Sequence, residues 1–209
     1  MPNWCMNEII ITGPTSSIKK LRQHAKGPSS VDYHDISEEF PGKTMEEIPV
    51  EALEKFYSKP APYTKDEVEF SFPMLVPVPE DIRSFPFDPL RNKQAREILG
   101  KEDNLSGYSF NNLYWGTKWG MRDLNVDVKS TSTGNSKMVV QGNTAWCPPN
   151  ALIETLSGEY EDLVFECSYQ DQNEDYKHTF KCVQGMYEKV SVYAMSEDGD
   201  EIGENILEH

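Results

Sequence analysis

The sequence contains no closely spaced cysteine pair. Cys5, Cys147, Cys167 and Cys182 are scattered through 209 residues, which excludes a CxxC metal or redox dithiol and an iron–sulfur ligand run. Reduced thiols in a cytoplasm are the expectation. No apolar run approaches the ~20 residues of a membrane span, and the first residues lack the basic-then-apolar pattern of a secretion signal. There is also no P-loop, GxGxxG turn, HExxH helix or EF-hand spacing, so no cofactor and no metal is expected. Asp171, Glu174 and Asp175, or Glu197, Asp198, Asp200 and Glu201, gather carboxylates without a coordinating loop.

Positive charge is scarce: 20 Lys and Arg face 35 Asp and Glu, a formal net charge of −15. The stretch from Glu154 to Glu204 holds fourteen acids against Lys177, Lys181 and Lys189, and so carries −11 of that total. Such a surface repels phosphate backbones and anionic membranes and favours a basic partner, here a basic host protein, or serves solubility alone. Direct nucleic-acid binding is not expected.

What the chain does have is 23 aromatic residues, which supply large buried area per residue and argue against global disorder. Its length suffices for one large or two small domains. Ile9, Ile10 and Ile11 lie in an apolar run (8–12) that suits a central strand stopped by Gly13-Pro14. A helix follows, with Ile18, Leu21 and Ala25 on one face, a cap from Thr15, Ser16 or Ser17, and an end at Gly27-Pro28. Residues 29–64 read as an acidic, proline-broken insertion over one edge of the core, with one short helix around Leu53 started by Pro49. Val68, Phe70 and Phe72 alternate as a strand, 90–99 form a helix closed by Gly100, and 106–119 another that ends at Gly120.

Beyond this, Leu124, Val126 and Val128 and the run 138–146 predict a hairpin turned at Thr133-Gly134-Asn135. Pro148-Pro149 opens a helix with Leu152, Ile153, Leu156 and Tyr160 on one stripe. Strands follow over 163–169, 176–183 and 189–193, and then an acidic, frayed tail. The pattern predicts an α+β fold, a ferredoxin-like sandwich in which helices cover one face of a largely antiparallel sheet, elaborated by the 29–64 insertion. One domain over 1–206 accounts for it better than two, with 207–209 a purification-tag remnant.

Three tryptophan-bearing segments stand out: Met1-Pro2-Asn3-Trp4-Cys5-Met6-Asn7, Trp115-Gly116-Thr117-Lys118-Trp119 and Thr144-Ala145-Trp146-Cys147-Pro148-Pro149. In this order they resemble the Api92-like family, uncharacterised proteins of bacteriophages, plasmids and related mobile elements that carry a ferredoxin-like domain. The likeness is strongest over 1–14 and 105–183. Cys147 departs from the serine that members often carry before the paired prolines, and 169–172 departs from their acid with a nearby glycine. The resemblance implies the fold and an accessory role in host takeover, element maintenance or counter-defence; it implies no catalytic residue.

If 106–119 is helical, Trp115 and Trp119 share a face with Lys118 beside Trp115. Lys118 is then either an anion or cation–π contact between two indoles, or a stem laid over rings that pack on the sheet. Trp4 and Trp146, at strand ends, close a pocket with the middle segment if all three meet. The candidate pocket residues are Trp4, Asn7, Trp115, Thr117, Lys118, Trp119, Asp123 and Trp146, with Asn3 nearby. His24, His34 and His178 have no context for nucleophilic catalysis, and His178 lies about 13 Å from Cys182 if that stretch is a strand. Phe165, Tyr169, Phe180 and Tyr193 are the aromatics available should a sheet face be open.

The composition points first to a non-enzymatic acidic protein-interaction module, with nucleic-acid mimicry in counter-defence as one form of it. The first alternative is a small-molecule-binding protein or enzyme with a tryptophan-lined pocket around 115–119, and the second a structural or self-assembling protein that uses exposed strand edges.

Overall fold

The computed structural model describes residues 3–102, 105–130, 134–195 and 201–202. The apolar run at the start lies within β1 (Trp4–Pro14), where Cys5, Asn7, Ile9 and Ile11 are buried in alternation with more exposed neighbours. β1 takes the central place its composition predicts. It pairs antiparallel with β5 (Asn135–Ala145) on one side and with β6 (Val164–Asp171) on the other.

β4 (Arg122–Ser130) extends the sheet beyond β5, while β7 (Tyr176–Val183), β8 (Met186–Met195) and β9 (Glu201–Ile202) extend it beyond β6. Among the described residues the order is β4-β5-β1-β6-β7-β8-β9, with each neighbouring pair antiparallel.

Two helices cover the apolar face. α1 (Thr15–Ala25) buries Ile18, Leu21 and Ala25, the three positions its spacing selects, and α8 (Asn150–Glu159) buries Leu152, Ile153 and Leu156. They meet Ile9, Ile11, Met138, Val140, Phe165, Cys167 and Phe180 in one core. The cap expected from Thr15, Ser16 or Ser17 does not form: Pro14 is the N-cap, and the Thr15 hydroxyl instead donates 2.8 Å to the Gly134 carbonyl. Thr133 of the expected turn, the carboxylates at 197, 198 and 200, and residues 207–209 lie outside the described residues.

The helical segment between α1 and β4 runs from 27 to 120, longer than the 29–64 expected. It begins at β2 (Gly27–Pro28), paired with β3 (Glu67–Val68). α2 (Ile36–Glu39), a 3-10 turn (Met45–Glu47) and α3 (Val50–Phe56) follow β2. α4 (Phe72–Leu75), α5 (Glu80–Arg83), α6 (Pro89–Ile98) and α7 (Gly107–Tyr114) follow β3.

Met45, Ile48, Leu53, Tyr57, Phe85 and Ala95 form a separate small core, but Phe70, Phe72, Leu75, Phe110 and Trp115 enter the principal one. The segment is thus part of the main packing as well as an addition beside it. The strand expected over Val68, Phe70 and Phe72 stops after Val68. Ser71 caps a helical turn with Pro73 in its first positions, and a proline there cannot donate to a ladder.

Candidate functional site

The middle tryptophan segment is not a helix. α7 ends at Tyr114, Trp115 is its C-cap, and Gly116 has φ 82°, a left-handed conformation open to glycine. A β-carbon on Gly116 would also meet the Asn150 amide nitrogen at 2.9 Å, at the start of α8. The helix therefore breaks there, and Trp115 and Trp119 do not share a helical face.

Trp115 turns into the core. It is 2% exposed, its indole Nε1 donates to the Val76 carbonyl at 3.0 Å, and Phe72 meets it edge-on at 5.7 Å. Trp119 is half-buried on the far side of the break.

Two side chains fix the intervening loop. The Thr117 hydroxyl, fully buried, donates 2.9 Å to the Ala145 carbonyl, and the Asn111 amide donates 2.8 Å to the Lys118 carbonyl. Because Trp4 lies opposite Ala145 in the sheet and the Trp146 amide donates to the Asn3 carbonyl, all three tryptophan segments meet.

What they gather is cationic. Lys118 Nζ lies 4.4 Å from the Trp119 ring centroid and 5.6 Å from that of Tyr108, so it sits over Trp119 rather than beside Trp115. The Arg122 guanidinium carbon lies 5.7 Å from Trp4 and 5.9 Å from Trp119, between two indoles. Cations held over aromatic faces gain about 0.5–1 kcal/mol when exposed and more when desolvated. Among the described residues neither has a carboxylate within ion-pair distance. Trp146 is 52% exposed with φ 72° just beyond β5, not inside the strand as expected.

Behind Trp119 lies a hollow of about 210 Å³, lined by Val31, Tyr33, Phe87, Asn111, Trp115 and Trp119 together with Ser30. Asn111 is 3% exposed; with its amide nitrogen committed to Lys118, its Oδ1 is buried without a partner. The Tyr33 hydroxyl is likewise buried and unpartnered. Burial pushes that phenol well above its ordinary range, which keeps it protonated and able to donate. A buried polar group without a hydrogen bond costs about 1–3 kcal/mol; both oxygens belong to residues that line the hollow, and each is itself out of reach of water.

Asn7 and Asp123, expected beside the tryptophans, line a different hollow. It is larger and shallow, about 430 Å³, shares no lining residue with the one behind Trp119, and is also lined by Glu8, Gln141, Asn143 and Lys177. Several of its polar atoms are already matched: Gln141 Nε2 donates to Glu8 at 2.7 Å and Asn143 Nδ2 to Asp123 at 3.0 Å. Asn7 itself is 6% exposed and donates to the Cys5 carbonyl at 2.7 Å and the Thr144 hydroxyl at 2.9 Å, a structural role.

The aromatics proposed for an open sheet face are also placed differently. Phe165 and Phe180 are buried under the helices, and Tyr169 packs against that core because it alternates in phase with Cys167. His24 meets the Tyr160 hydroxyl at 2.9 Å, His34 the Lys59 carbonyl at 2.9 Å, and His178 the Glu174 carboxylate at 3.2 Å. Among the described residues no group of three potential metal ligands occurs.

Tyr33 and Asn111, which line the hollow, have no local signature in the sequence. Tyr33 belongs to the insertion and reaches the site only through long-range packing.

No family model matches the chain, and no curated protein does. A solved structure similar to it is that of the protein api92 from Yersinia pseudotuberculosis, described under the family model DUF1281. The two share 10% identity over 94% of this chain and 99% of that one, with a TM-score of 0.53. At that identity the likeness is one of fold: the chain has an Api92-like, mixed α+β architecture. No described helix is long and apolar enough to cross a membrane.

Proposed function

We propose that this is a non-enzymatic binding protein whose site is the aromatic hollow behind Trp119. The observation that carries the reading is the hollow itself, walled by the rings of Trp115, Trp119, Phe87 and Tyr33 with the polar side chains of Asn111 and Ser30 among its lining residues. A few convergent polar groups in an apolar concavity are the usual signature of a small-molecule site. The test is ligand-observed NMR with a set of ring-containing fragments, on the native chain and on the variants Trp119→Ala and Val31→Phe. Fragment binding that both variants abolish supports the site; no binding, or binding indifferent to both, rejects it.

A second reading, the acidic interaction module, draws on the exposed carboxylates of the insertion. Glu38, Glu39, Glu46, Glu47, Glu51 and Glu54 all face solvent around α2 and α3. A basic host protein as partner, nucleic-acid mimicry and a phage or mobile-element setting in a bacterial cytoplasm belong to this reading. Its check is salt-sensitive retention of a basic protein from bacterial lysate, lost when Glu46, Glu47, Glu51 and Glu54 are replaced by lysine. For the fold, the unit β1-α1-β4-β5-α8-β6, with spatial order β4-β5-β1-β6, favours assignment as a ferredoxin-like core extended by three strands.

A further inference from the structure

Independently of the hollow, we infer that the free edge of β4 pairs with β4 of a second copy of this chain, antiparallel and centred on Val128, so that Asp127 of each copy lies opposite Lys129 of the other.

β4 ends the sheet order and pairs with β5 alone among the described residues. Its outer side therefore presents unpaired N–H and C=O groups, a template for another strand. Natural edges are blunted by proline, bulges or charge. β4 has no proline, its bulge is confined to the stretch between Arg122 and Asn125, and Arg122 and Lys129 cancel Asp123 and Asp127. The strand is thus neutral in a chain of net charge −15. Leu124, Val126 and Val128 pack against the principal core yet stay partly exposed, as side chains do on a strand with a neighbour on one side only.

Symmetry and charge choose the register. In a pair related by a two-fold axis normal to the sheet, opposite residues share a face, so the pairing is centred on one residue. Centring on Asp127 sets two aspartates opposite each other, and centring on Lys129 two lysines; like charges directly opposite are destabilising. Centring on Val126 carries the ladder into Asp123 and Leu124, where the pairing with β5 shifts and Asp123 has φ 51°. β3 also flanks that part of β4, across a groove of about 330 Å³ lined by Glu67, Val68 and Glu69 with Leu124, Asn125 and Val126. Centring on Val128 uses only the regular stretch 126–130. It sets Val128 opposite its copy, Val126 opposite Ser130, and Asp127 opposite Lys129.

Within one copy Lys129 Nζ already lies 3.2 Å from Asp127 Oδ2, and the two side chains are 80% and 52% exposed. Two copies in this register bring four charges of alternating sign together on the face turned away from the core. Opposite charges and β-branched residues directly across from each other stabilise a sheet. The contact is short, which places it among weak interfaces that form with concentration.

The experiment is sedimentation equilibrium of the full chain up to about 1 mM at physiological ionic strength, with the variants Asp127→Lys and Lys129→Asp. The native chain is expected to dimerise reversibly. Each variant alone sets like charges opposite at both symmetric positions and should dimerise about tenfold more weakly or not at all. An equimolar mixture of the two variants restores both opposite-charge pairs and should dimerise as well as the native chain. A native chain that stays monomeric at about 1 mM overturns the inference and leaves this edge to another partner or to none. A native dimer that each variant alone matches lies on another face and overturns it too. Weakening in both variants that mixing fails to relieve excludes the Val128 register and with it the inference.

Discussion

The phenol of Tyr33 occupies the space that a β-carbon on residue 107 would take, against Gly107 at the first turn of α7. Alanine is ordinarily better than glycine in a helix by roughly 0.5–1 kcal/mol. Here the phenol is walled in by Phe87, whose ring centroid is 5.2 Å away, and overpacking costs about 1–3 kcal/mol. Gly107→Ala is therefore expected to destabilise, lowering the melting temperature by a few degrees in differential scanning calorimetry and displacing Tyr33 from the hollow. An unchanged or raised melting temperature would show that the ring yields freely.

Trp115 should behave as a core residue although its sequence neighbour Trp119 does not. Trp115→Ala is expected to cost about 3–5 kcal/mol in urea unfolding, within the range for large-to-small changes at buried aromatics. Trp115→Phe should cost less and still leave the Val76 carbonyl unpaired. Trp146→Ala, at a site half in water, should change stability by under about 0.5 kcal/mol.

Asn7 supplies a donor set that no isosteric acid can replace. Its amide nitrogen serves the Cys5 carbonyl, the Thr144 hydroxyl and, at 3.3 Å, the Gly142 carbonyl. Asn7→Asp replaces these donors with an acceptor that faces oxygens and should cost about 3 kcal/mol or more, whereas Asn125→Asp on the exposed edge strand should be near neutral. Urea midpoints of the two variants provide the comparison.

Cysteine reactivity and alkaline stability follow from burial. Cys147 is exposed, while Cys5, Cys167 and Cys182 are buried, so one thiol is expected to react fast with a disulfide reagent at pH 8, and Cys147→Ser should remove that phase. Burial pushes Cys5 from 9.0 up to about 12, and Tyr57 and Tyr169 from 10.0 to about 12. In each case the folded state keeps a proton that the unfolded chain releases, so stability falls as pH rises. The free energy of unfolding from denaturant titrations should be flat with respect to these groups below pH 9 and decline between about pH 9 and 12. A rise over that interval would contradict the burial of these groups.

Sequence periodicity reached the sheet and its two covering helices because those elements obey local rules. Ile9 and Ile11 alternate correctly, Ile18, Leu21 and Ala25 repeat at helical spacing, and Val126 and Val128 mark the hairpin partner of Val140 and Met138. Where tertiary packing decides, the same rules misled. Phe70 and Phe72 alternate like strand residues, yet Ser71 and Pro73 turn the chain helical so that both rings enter the core.

The Trp115–Trp119 spacing reads as one helical turn until Gly116 is seen pressed against the start of α8. The tryptophans identified the neighbourhood of the site. Tyr33 and Asn111, which line it, become visible only when the insertion is folded against α7.

The position of β1 between β5 and β6 has a consequence for biogenesis. A ribosome emits Ile9, Ile10 and Ile11 first, yet both flanking strands come after residue 134. During synthesis this sticky segment has no ladder to join, and loop closure over so many residues makes such pairing slow. The nascent chain therefore passes through an interval in which β1 has neither of its partner strands. Pulse-labelled translation arrested before and well after residue 171 should reveal protease resistance of β1 only in the longer product.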